Sequence, residues 1–147
     1  MNAEALETAL VDVIGALGIT AKPYPQNPAN YIPSAYPGEV LVRYVSTYFS
    51  PLDISGVRKD RRQTLEIVVV STELRGNDGI YNWLDRIREK LEGFTLPEAG
   101  GALELEAEEF MDENAGTWQY GQRWNINSKL NYEQQDDYAN RPLSATD

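Results

Sequence analysis

The sequence predicts an α+β fold, an antiparallel sheet of about four strands with two helices on one face, in the order helix, strand, strand, helix, strand, strand. Three observations carry that prediction. Two segments repeat apolar residues at the helical spacing of three and four, and four segments are β-branched or alternate apolar with polar. Gly, Pro and Asn punctuate the boundaries. The 147 residues make one domain, read as a folded unit over 1–131 and a polar tail over 132–147, loose or docked on a partner.

From Ala3 to Leu17 the residues Leu6, Leu10, Val13, Ile14 and Leu17 fall on one stripe, which predicts an amphipathic helix ended by Gly18. Five prolines between Lys22 and Gly38, interleaved with Tyr24, Tyr31 and Tyr36, predict an extended connector in which neither a helix nor an inner strand persists. Its aromatic rings imply contact with a surface, on this domain or on a neighbour.

Two β-branched runs, Glu39–Tyr48 and Arg62–Thr72, predict an antiparallel pair around a loop of about 13 residues. Asn77-Asp78-Gly79 then caps a second helix, with Ile80, Leu84, Ile87 and Leu91 on one stripe beside Trp83, ended by Gly93 and Pro97. In Ala102–Met111 the apolar parity slips before Phe110, which predicts a bulge or strand end near Glu108-Glu109. After a turn at Asn114-Ala115-Gly116, the even-numbered Trp118, Tyr120, Trp124, Ile126 and Leu130 predict a long half-buried strand. Its Trp and Tyr stripe reads first as core and second as an interface.

There is no Cys and no His, which removes thiol nucleophiles, disulfides and the usual proton shuttle and metal ligand. No phosphate-binding glycine loop or nucleophile elbow occurs. The sequence therefore reads as a non-enzyme with no cofactor. The amino-terminal segment is acidic where a signal peptide would be basic, and no apolar run approaches a membrane span, so a cytoplasmically made, soluble protein is expected. The net charge of −10 is uneven: residues 101–147 carry 3 basic against 10 acidic side chains. Such a field disfavours specific binding to nucleic acid.

Two charged constellations stand out. Arg58, Lys59, Arg61 and Arg62 surround a single Asp60 and are expected on the long loop, as a contact for another subunit, an acidic protein or a phosphate backbone, or as a plain solvated tip. Glu104, Glu106, Glu108, Glu109, Asp112 and Glu113 form the second, with Glu104, Glu106 and Glu108 expected in one solvated row. A row is not the facing pair a glycosidase needs, and no calcium-loop spacing is present. A basic patch and an acidic carboxyl end suit head-to-tail self-association.

The helix GIYNWLDRIREKLEGF, followed by ALELEAEEFMDENAGTWQYGQRWNINSKL, with the amino-terminal helix, Pro-rich link and strand pair before them, resembles the phage tail terminator proteins of Mu-like tailed phages and prophages over roughly residues 3–130. The resemblance implies a virion protein at the tail–neck junction, assembled in the bacterial host cytoplasm as a homohexameric ring. It further implies contacts with the tail tube protein, possibly the sheath, and the head-side neck connector proteins, while DNA passes through the ring without specific binding. Six copies would carry about −60, and an acidic bore would not retain DNA. Three other readings stay open at this point: a neck or head-completion ring subunit, an acidic monomeric inhibitor or adaptor, and a metal-dependent enzyme that uses carboxylates alone.

Overall fold

The computed structural model describes residues 2–96 and 99–131. The chain runs through helix α1 (Ala3–Gly15), strand β1 (Ala21–Pro23), a single 3-10 turn at Pro28–Asn30, β2 (Gly38–Phe49), β3 (Arg58–Ser71), α2 (Ile80–Leu91), β4 (Leu103–Asn114) and β5 (Thr117–Asn131). The strands form one sheet in the order β1-β2-β3-β5-β4, antiparallel except for the parallel pair β1–β2. The fold is α+β as expected, but the sheet has five strands and is mixed. The additional strand opens the Pro-dotted segment, and three residues are too few to leave a periodic signal. As an edge strand it tolerates Pro23.

Both helices pack on the same face. Leu6, Leu10 and Ile14 of α1 and Ile80, Trp83, Leu84, Ile87 and Leu91 of α2 join Val40, Val42, Leu65, Ile67, Val69, Leu103, Trp124 and Ile126 in one buried cluster. Pairing puts these strand residues side by side, for instance Val40 with Val69, Leu65 with Trp124 and Leu103 with Ile126. Asn2 caps α1 by accepting a hydrogen bond from the Ala5 amide at 2.8 Å. The β4–β5 hairpin turns on Ala115 and Gly116, both left-handed at φ 51° and 84°, the backbone a two-residue hairpin requires.

The helix-free face carries a smaller cluster of Leu41, Val68 and Val70, against which Tyr24 and Tyr31 of the connector pack. The connector thus lies on its own domain, which settles the alternatives its aromatic rings left open. Tyr36 remains exposed. Farther along this face, among the described residues, the sheet is covered by its own long side chains: Arg43 pairs with Glu66, and Thr64 donates to Asn125 Oδ1 at 2.7 Å.

Candidate functional site

The β2–β3 hairpin stands out from the sheet, because β3 and β5 stay paired to Arg58 and Asn131 whereas β4 starts at Leu103, opposite Ile126. The loop itself is only 50–57. Arg58, Lys59, Arg61 and Arg62 therefore lie on β3, not on a long loop, because the β-ladder continues through them despite their charge. Strand alternation divides them: Arg58 and Arg62 share the helix-free face with Asp60, and Lys59 and Arg61 share the helix face. Arg61 is half-buried and structural, donating to Ser128 Oγ at 2.9 Å and to the Ala99 carbonyl at 3.2 Å. Lys59 sits 5.9 Å from the Phe49 ring centre and Arg62 5.5 Å from that of Tyr48. Asp60 accepts from Lys129 at 3.1 Å.

The hairpin tip is apolar at its outermost point. Ile54 is fully exposed, and Tyr48, Phe49 and Leu52 are about half exposed. Asp53 braces the turn, accepting from Ser55 Oγ at 2.7 Å and from the Val57 and Arg58 amides, while its own amide donates to the Arg58 carbonyl at 2.8 Å. The Ser55 hydroxyl and these amides hold the Asp53 carboxyl below the usual carboxylate range. The tip is thereby preordered. The Asp-x-Ser-Gly spelling of residues 53–56 was its signal in the sequence.

The acidic segment is an edge strand of the sheet. Register shifts fall between Leu105 and Ala107 and between Phe110 and Asp112, rather than at Glu108-Glu109. The first shift breaks the expected row. Glu104 and Glu106 face the helix-free side, where they accept from Asn127 and Asn125, and Glu106 lies 3.9 Å from Arg123. Glu108 turns to the helix face, where Arg88 donates to it at 2.7 Å and Gln122 at 2.8 Å. Glu109 and Asp112 pair with Gly121 and Gln119 and so share the side of Glu104. Glu113 accepts from the Gly116 amide at 2.9 Å and stays at the turn. Gly121 has no side chain because Met111 lies across it: a Cβ there would come within 2.6 Å of the sulfur.

Trp118 and Tyr120 divide the stripe they were read as sharing with Trp124. Trp124 is core, with no exposed surface, but Trp118 and Tyr120 are only half-buried. They meet Phe110 edge-to-face at 6.2 and 5.7 Å, and Tyr81 closes the group on Tyr120 at 5.9 Å. Phe110 and Tyr81 remain partly exposed where α2 meets β4, with Arg75 5.7 Å from the Tyr81 ring centre, while Met111 lies on the opposite face over Gly121. The parity slip marked Phe110 in the sequence, but the ring group it joins is drawn from three elements, β4, β5 and α2.

Glu39 went unremarked in the sequence, and it is the anchor of the connector. Its side chain is 0% exposed, yet it receives Lys22 at 2.8 Å, the Tyr31 hydroxyl at 2.5 Å, and the Ser34 hydroxyl and amide at 2.9 and 3.1 Å. Burial pushes its carboxyl up, but these donors outweigh burial and hold it below its ordinary value. Burial, then the bond to Glu39, pushes the Tyr31 phenol up.

Among the described residues, no three Asp or Glu side chains gather into a group able to hold a metal ion, and no helix is long and apolar enough to cross a membrane. The proposed tail, 132–147, lies outside the described residues. A family model described as Gp37 protein matches residues 16–144, and so continues 13 residues past β5. No curated protein matches the chain significantly.

Proposed function

The chain belongs to the Gp37 protein family of phage-associated proteins, and from that premise we propose that it is a tail terminator. In this reading it forms a ring, a homohexamer, that caps the tail tube, stops its polymerisation and joins the tail to the head-side neck proteins. The observation that carries the reading is the segregation of charge on a rigid sheet. The edge strand β4 exposes carboxylates while Arg58, Lys59 and Arg62 gather on the protruding hairpin at the far end. Charge separated in this way favours contacts between unlike patches on successive copies. Glu104, Glu106, Glu109 and Asp112 share one side of β4 and line the bore, where they repel passing DNA phosphates.

Purified protein added to tail tube protein during polymerisation tests the reading. A terminator shortens the tubes and appears in negative stain as a ring on one end. A neck protein leaves naked tubes unchanged, and a monomeric adaptor shows one chain mass by light scattering at every concentration. Either result overturns the proposal.

A further inference from the structure

The helix-free face of the protruding hairpin carries an excess of positive charge. Arg58, Arg62 and Lys129 share that face with one carboxylate, Asp60, which Lys129 engages. Among the described residues no carboxylate pairs with Arg58 or Arg62. A cleft of about 850 Å³ opens there, lined for the most part from this face by Tyr48, Asp60, Arg62, Asn127 and Lys129, with Arg62 5.5 Å from the Tyr48 ring centre. We propose that the segment following β5 in the same chain, residues 132–138, docks in this cleft and brings Glu133, Asp136 and Asp137 to Arg58, Arg62 and Lys129. The inference goes beyond the ring reading and does not depend on it.

Position, charge and tethering converge on this occupant. β5 ends at Asn131, which pairs with Arg58, so the segment begins at the mouth of the cleft. Arg62 stands four residues from Arg58 along β3, about 13 Å at the strand rise, and seven residues span up to about 23 Å. Residues 132–138 hold Glu133, Asp136 and Asp137 and no cation, where the face offers three cations against one carboxylate. Tyr132 and Tyr138 bracket the acids and supply rings to extend the stack of Arg62 on Tyr48. Covalent attachment sets the local concentration of the segment in the millimolar range, which favours its own chain over a second copy. An acidic partner that uses this face must therefore displace the segment first.

The chain contains no cysteine, which makes disulfide trapping unambiguous. The full-length chain carrying Tyr48→Cys and Gln135→Cys, mildly oxidised, is expected to close an intrachain disulfide whose rate does not change on dilution. The control pairs Gln135→Cys with Phe49→Cys, the neighbouring exposed residue on the helix face of the same hairpin. Linking through Tyr48→Cys is expected to be at least tenfold faster than through Phe49→Cys. Reversing Arg58 and Arg62 to Glu is expected to erase that preference, and reversing Glu133, Asp136 and Asp137 to Lys in the same chain to restore it. Equal rates on the two faces, or a preference that survives the charge reversal, overturn the docking. A link that forms between chains and not within one overturns it as well, by placing the segment on a second copy. None of these results bears on tube capping, which the polymerisation experiment decides separately.

Discussion

The two faces of the sheet are held by different forces. On the helix face, α1 and α2 close over Leu65, Ile67, Val69, Trp124 and Ile126, and the attraction is apolar burial. On the opposite face the buried apolar cluster among the described residues is just Leu41, Val68 and Val70, and the connector is fastened over them through one buried carboxylate. The buried core of the helix face contains no ionisable side chain. The connector face depends on the ionisation of Glu39.

The sharpest way to break the helix face is Trp124→Ala. Trp124 has no exposed surface, and its indole also donates to Gln122 at 3.2 Å. The substitution is expected to cost about 3–5 kcal/mol in denaturant unfolding. Glu39→Gln, at the centre of the other face, removes the charge that Lys22 meets and an acceptor for Tyr31 and Ser34, and is expected to cost about 1–3 kcal/mol. Protease sensitivity between residues 24 and 37 should rise with it, whereas Trp124→Ala should loosen the whole chain.

The two faces also separate by pH. The Glu39 carboxyl lies below its ordinary 4.5 in the folded chain, so its contribution is complete above 4.5 and disappears as pH falls through the lower folded value. The difference in melting temperature between wild type and Glu39→Gln should be full at pH 7 and shrink steadily below pH 4.5. The Trp124→Ala difference should show no such dependence tied to Glu39. A Glu39→Gln difference that is constant with pH would show that packing, not ionisation, fastens the connector. The smallest effect is expected for Glu104→Gln, which removes the charge from the exposed acceptor of Asn127 while keeping a carbonyl oxygen there, and should change stability by less than about 0.5 kcal/mol.

The helix face was legible in the sequence because its order is periodic. Leu6, Leu10 and Ile14, the α2 stripe, and Trp124 with Ile126 were all placed correctly by spacing. The connector face was not, because Glu39 meets Lys22, Tyr31 and Ser34 through a chain reversal that no period encodes. The basic residues 58–62 were assigned to a loop because β propensity is low for Lys, Arg and Asp, yet pairing with Phe49 and Ser128 carries the strand through them. In β4 the parity slip at Phe110 was visible, but two separate shifts produce it, and a single apolar landmark cannot locate both.

Those two shifts have a further effect. The outer rim of β4 is occupied at its start, where Leu103 exchanges backbone hydrogen bonds with Gly93 and Phe94 and the Leu105 amide donates to Glu92. Beyond Leu105 it is open among the described residues and long enough to template a foreign strand. An incoming strand would have to fall out of step twice within that length while neutralising carboxylates on either side. Runaway edge-to-edge stitching, the route to fibres, is thereby blocked, and whatever multiplicity this protein attains is left to its side chains to decide.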